Sequence, residues 1–219
     1  MSDLPPGEWS AWLVGVWWPS PPSQLEVAVT FWSDHADVKD QEASEVDKAL
    51  TFFGKNNSGH TADDMLAKLR TGMKRLLKVR DDCRAKSTAN SRVADAVRHL
   101  RDRLTEIAND GNKQINDILQ KQDSIASKLL QINGVIAQAN SSATHVGIDA
   151  NEAIVTATTS MFSAMDVGGD AREWLRNHGA NFDAPSTPHM NESDLDKALH
   201  PTVGPAGATP GTPTTPGTV

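Results

Sequence analysis

The chain has no tyrosine, a single cysteine, and no proline between Pro22 and Pro185. Each absence excludes something. A lone cysteine, Cys83, forms no internal disulfide and no cysteine-based zinc site, and with no motif around it reads as an inert thiol on a helix face. With all 12 prolines confined to the two ends, roughly 160 consecutive residues lack the one side chain that removes a helix donor and clashes with the preceding turn. Aromatics are only 5% and hydrophobics 38% of the residues, too few for a thick multilayer core and suited to elongated helical packing. Long apolar runs are missing too. "WSAWLVGVWW" covers 10 residues, whereas a spanning helix needs ~20. The opening "MSDLPPGE" is acidic where a secretory signal would be basic, so any export is expected to use another route.

A basic excess is also lacking. The net charge of -7 and pI near 5.4 give no global footprint for nucleic acid. The local exception, "KLRTGMKRLLKVRDDCR", has no aromatic on which a base could stack, and its leucines and methionines fit a core stripe. Residues 1–59 hold 9 acids and 3 bases, and residues 60–105 hold 12 bases and 6 acids. Antiparallel pairing of the two stretches would set opposite signs together; solvated faces with exposed pairs of ~0.5 kcal/mol each are the alternative.

Reaction chemistry has few candidates. The 7 histidines form no HxxxH or HExxH pair, and those at 35 and 99 fall in predicted helices. The neighbouring acids Asp63–Asp64 and Asp81–Asp82 diverge by about 100° on a helix and do not converge on one atom. The first pair reads as favourable charge at a helix N-terminus. No phosphate loop or nucleophile elbow is present. The expectation is therefore a non-enzyme with no catalytic, cofactor or metal residues.

Four zones follow from the pattern. Residues 1–22 are a Trp- and Pro-rich lead whose Trp9, Trp12, Trp17 and Trp18 are expected to fold over a bundle, burying ~150–250 Å² per ring. Residues 23–165 are the helical bundle. Its first helix runs from Ser23 to about Phe53, opened by a Ser23/Glu26 capping box, with apolar positions Leu25, Val29, Trp32, Ala36, Ala43, Val46, Leu50 and Phe53. "GKNNSGH" is a turn, after which Thr61 with Asp64 could cap a second helix striped by Met65, Leu69, Met73, Leu76 and Cys83. "KSTANS", residues 86–91, is either a bend or a polar patch. From Val93 through Leu100, Leu104, Ile107, Gly111, Ile115, Ile118, Ile125, Leu129 and Ile132 to Ile136, steps of three and four predict one long coiled-coil-like helix, with a break near Gly111 as the alternative. Asp149 and Glu152 open a further short apolar stretch to about Met165. Residues 166–184 form a short helical extension, and residues 185–219 a disordered Pro/Thr/Gly-rich linker or tail. The fold class is all-α, an elongated bundle of long antiparallel helices.

Leu4–Pro5, Gly15 followed by Trp18–Pro19, and Leu25 leading to Phe31–Trp32, set before a polar turn and long amphipathic helices, resemble a known actinobacterial domain. The chain is similar, over roughly residues 4–140, to the N-terminal domain of the CpnT-like proteins, the mycobacterial toxin and outer-membrane-channel family. That family is related to the Trp-x-Gly (WXG) helical hairpins of type VII (ESX) secretion. At the hairpin turn Asn57-Ser58-Gly59 keeps the glycine and replaces the tryptophan. The usual Tyr-x-x-x-Asp/Glu export signal has no tyrosine to use here; Phe162 to Asp166 has its spacing with a different ring.

The resemblance implies a non-enzymatic export and partner-recognition domain, the N-terminal module of a toxin or effector. Its partners would be small WXG-type hairpin proteins or a second copy, together with the secretion machinery. It would be cytoplasmic before export and then secreted or at the cell surface. Trp18, Pro19, Trp32, Asn57, Gly59, Leu100 and Leu104 are the candidate partner-binding and structural residues, and Phe162 and Asp166 the candidate export signal. A membrane-active or channel-forming domain, and a phage or cell-wall structural coiled coil, are the alternative readings.

Overall fold

Three long rods account for most of the chain. The computed structural model describes residues 3–199. A short helix α1 (Ser10–Val14) runs into a 3-10 turn, Gly15–Trp17, and is followed by α2 (Ser23–Asn56), α3 (His60–Gln120), α4 (Ile125–Met165), α5 (Ala171–Asn177) and α6 (Glu192–Leu199). No strand occurs among the described residues, and the all-α bundle of long antiparallel helices is as expected. Helix α3 is the axis. Its 61 residues reach about 90 Å, and both α2 and α4 pack along it. The expected tail at 200–219 lies outside the described residues.

Several boundaries differ from expectation, each for a local reason. The Ser23/Glu26 box does not form. Pro22 is the N-cap and its carbonyl accepts the Glu26 N–H at 3.0 Å, so Ser23 is already helical and no side chain caps the end. Thr61 and Asp64 do not cap α3 either, because Gly59 holds that position with φ of 100°. Residues 86–91 are a polar patch and not a bend: the helix is continuous, Ala89 is buried, and the Ser87 hydroxyl donates to the Val29 carbonyl of α2 at 3.0 Å.

The Val93–Ile136 register is not one helix. Helix α3 continues straight through Gly111, ends at Gln120, and turns at residues 121–124, where the Ser124 hydroxyl accepts the Ser127 N–H at 3.3 Å to start α4. Spacing of three and four survives because both arms of this hairpin face the same core, so periodicity alone cannot see the turn. No new helix starts at Asp149, since α4 runs unbroken from Ile125 to Met165. Its stop is as expected, with Asp166 left-handed (φ 56°) and Gly169 at φ 123°. Beyond Pro185 the chain is not all linker: α6 forms, and Met190 and Leu195 are 0% and 2% exposed in the core.

The core lies between the C-terminal half of α3 and α4. Leu100, Leu104, Ala108, Ile115 and Ile118 meet Ile132, Ile136, Ala139 and Ala143, and the lead closes the seam with Trp9, Leu13 and Val14. A five-residue helix such as α1 has no independent stability; polar clamps hold it. Asn112 of α3, buried, accepts the Trp9 N–H at 2.9 Å and donates to the Ser10 hydroxyl at 3.1 Å. Asn140 of α4 donates to the Trp12 carbonyl at 2.9 Å. Glycine makes two of the close approaches. A Cβ on Gly111 would stand 2.6 Å from Leu13, and one on Gly147 would stand 2.3 Å from the Trp17 ring.

Candidate partner-binding surface

Charge sorting along the rods builds the first hairpin. Arg80 of α3 bonds Asp40 of α2 at 2.7 Å, and Arg98 bonds Glu26 at 2.6 Å. Lys86 sits 4.1 Å above the Trp32 ring. The acidic and basic stretches of the sequence therefore pair antiparallel, sign against sign. The Arg80 guanidinium holds the Asp40 carboxyl below the usual carboxylate range, and Asp40 in turn raises Arg80.

Helix α4 does not cover all of this hairpin. Its last carbonyl, that of Met165, accepts from Lys78 of α3 at 3.1 Å, and Lys78 also bonds Asp82 and Asp166. The first turns of α3, before Lys78, therefore run on beyond α4 with α2 beside them. In this arm only Ala43, Leu50 and Ala62 are buried, while Leu66, Leu69, Met73, Leu76, Val46 and Phe53 are half-buried and Phe52 and Met65 are exposed. Two helices leave an apolar seam open along both sides. Three-helix coverage begins only where α4 arrives.

The nominated residues fall at three places. Trp18, Pro19, Leu100 and Leu104 come together in the body. Arg101 lies 4.3 Å over the Trp18 ring, donates to the Pro19 carbonyl at 2.6 Å and pairs with Asp3 at 2.8 Å, while Leu100 and Leu104 are buried beneath the lead. These residues hold the molecule together and offer little surface to a partner. Trp32 is likewise turned toward α3. Asn57 and Gly59 form the far turn of the arm, the Asn57 amide donating to the Phe53 carbonyl at 3.0 Å. Gly59 has nothing within 4 Å of a Cβ position, so its backbone angle alone calls for glycine. Phe162 is 8% exposed with its ring edge-on to Trp174, and Asp166 pairs with Lys78. The Phe162 ring is thus a packing group in this state, not a displayed one.

One groove between α3 and α4, about 300 Å³, is lined by Arg84, Ala85, Thr88, Arg92, Ser160 and Met161 and is open to solvent. No group of three or more His, Cys, Asp or Glu residues is placed to hold a metal ion among the described residues. None of the described helices is long and apolar enough to cross a membrane.

Uncharacterized protein Rv2082 of Mycobacterium tuberculosis is 43% identical to this chain over 214 residues. The alignment takes in 96% of this chain and 29% of that protein, so the chain spans less than a third of its relative's length. No protein-family model and no solved structure matches. The mycobacterial source of the relative agrees with the actinobacterial setting that the resemblance implied.

Four residues that matter to the surface were not nominated from the sequence: Val27, Phe31, Val38 and Phe52, exposed on α2. Their signal was present as a second run of steps of four, seven and fourteen residues, offset from the stripe that packs on α3. Asn112 and Asn140 carried no such signal, because a buried amide looks like any polar residue until its partner is placed.

Proposed function

We propose that the chain is a non-enzymatic partner-recognition and export module of the type VII (ESX) class, the N-terminal part of a longer toxin or effector, that binds WXG-type helical-hairpin proteins. The observation that carries this reading is the α2–α3 arm, two antiparallel helices extending past the end of α4 with half-buried apolar residues open on both sides. A two-helix layer of that kind is completed by another helical pair, as four-helix bundles are. The relative's greater length supports a module joined to further sequence, and the acid–base matching of α2 and α3 supports recognition by charge as well as by apolar contact. In this reading the protein is cytoplasmic before export and secreted or surface-exposed after it.

The test is direct. The full chain is mixed with a WXG-type hairpin pair and run on a sizing column at micromolar concentration. A co-eluting complex is expected, with an interface of ~1,600 Å² or more; separate elution overturns the reading.

A further inference from the structure

Helix α2 carries two apolar stripes. Ala36, Ala43 and Leu50 are buried against α3. At about 100° per residue, Val27, Phe31, Val38 and Phe52 lie roughly opposite them and within about 60° of one another. These four are 70%, 48%, 50% and 72% exposed. The outer stripe runs about 37 Å along the helix. Single exposed apolar residues are ordinary, but four aligned on the outer face of one helix make an unpartnered apolar line that a second helix laid alongside would cover.

Charge narrows what covers it. On the inner side Glu26 is answered by Arg98 and Asp40 by Arg80. On the outer side, by the same projection, Asp34 and Glu45 fall within the stripe and Asp37 and Glu42 flank it; Glu42 bonds Lys39 of its own helix, and Asp34, Asp37 and Glu45 join none of the ion pairs among the described residues. Lys48 and Lys55 border the stripe only near the turn. The outer face thus repeats the inner composition, an apolar line set with acids, and a basic helix is what answers it inside. A second copy of α2 would instead place two sets of Asp34 and Glu45 in one seam of a chain with net charge -7, desolvating carboxylates without matching cations.

We propose that the outer face of α2, through Val27, Phe31, Val38 and Phe52, docks one amphipathic helix of a partner protein that carries Lys or Arg beside its apolar stripe, opposite Asp34, Asp37 and Glu45. This rests on the partner-recognition reading above and adds, to the open seam of the arm, a second face on the outer side of α2 together with its chemistry.

The test uses the full chain and two labelled synthetic helices of about 28 residues, long enough to span the stripe. Both carry the same leucine heptads; one has lysine flanks, the other glutamate flanks. Fluorescence anisotropy should give the lysine helix a micromolar Kd, at least about tenfold tighter than the glutamate helix. Val38→Glu/Phe52→Glu, which leaves the Phe31 ring packed on Trp32 and His35, should lower that affinity at least about tenfold with helicity and Tm unchanged. Asp34→Lys/Glu45→Lys should reverse the preference between the two helices. Equal binding of both helices overturns the proposal, as does binding indifferent to V38E/F52E, or a dimer of the chain in sedimentation velocity that V38E/F52E dissolves. Failure here and failure of the function reading are separable. Hairpin proteins that bind wild type and V38E/F52E alike overturn the face and leave the reading; a lysine helix that binds as expected while no hairpin protein does keeps the face and removes the reading.

Discussion

Gly147 and Asn112 show how single residues fasten the lead to the bundle. Alanine at position 147 gains about 1 kcal/mol of helix propensity, yet its Cβ would enter the Trp17 ring, whose indole N–H is held by Thr144 at 3.2 Å and cannot simply rotate away. Overpacking of this kind costs about 1–3 kcal/mol, so Gly147→Ala is expected to destabilise on balance and to expose Trp17, read as a lower urea midpoint and red-shifted tryptophan emission. Asn112→Ala takes the acceptor from the buried Trp9 N–H. An orphaned buried donor costs about 1–3 kcal/mol, and urea denaturation followed by far-UV circular dichroism measures it. Neither role was visible in the sequence, nor was that of Gly111, which read as a helix weakness although the side chain of Leu13 occupies the space that its missing Cβ leaves.

At the level of elements, the arm and the body differ in how much holds them. The body is closed by α3, α4, the lead and α6, while the arm beyond Lys78 has α2 and α3 alone. Amide exchange should follow that division. Backbone amides of residues 44–56 and 62–77 are expected to exchange faster, by opening at lower free energy, than those of residues 100–118 and 130–147, and mass spectrometry of peptic fragments reads the contrast. Equal protection in both would mean that the arm is as cooperative as the body.

This division also marks how far the sequence could be read. Proline placement and the three-four stripes gave the rods, because both act along the whole length of a helix, and the block of acids followed by a block of bases offered the α2–α3 pairing as one of two readings. The turn at residues 121–124 stayed hidden, since a hairpin that folds about its core keeps the stripe in register on both arms. So did the docking of Met190, held by reciprocal 2.9 Å bonds between its backbone and the Asn133 amide: one methionine in a Pro- and Thr-rich stretch has no period to detect. Of the candidate surface, the turn at Asn57–Gly59 was legible from glycine and asparagine. The outer stripe of α2 was not singled out, because the inner stripe already accounted for a helix.

Across the whole molecule, ion pairs join the rods at their edges, and these set a pH response. Asp40 is held below its ordinary range by Arg80, and Asp3 by Arg101. A carboxyl depressed on folding contributes stability that is present above its unfolded pKa, ~3.9, and lost as pH falls through the lower folded value. Lys78, raised by Asp82 and Asp166, contributes below its unfolded pKa and loses that contribution as pH rises through the folded value. The Tm should therefore be level near neutrality and fall toward acid. Asp40→Asn should lower the neutral plateau slightly and flatten the acid limb, the two curves converging once wild-type Asp40 is protonated. Because these groups are exposed, added salt should shrink the difference; thermal melts by circular dichroism across pH, at low and high salt, give the comparison.

One uninterrupted helix, α3, passes from the glycine turn at one end to the tryptophan-covered core at the other. The molecule accordingly has no joint between its grip and its base: to swing the arm, backbone hydrogen bonds of that helix must break. Under the proposed reading, a partner held at the turn would stay about 66 Å from the Leu104 level, a reach set by residue count.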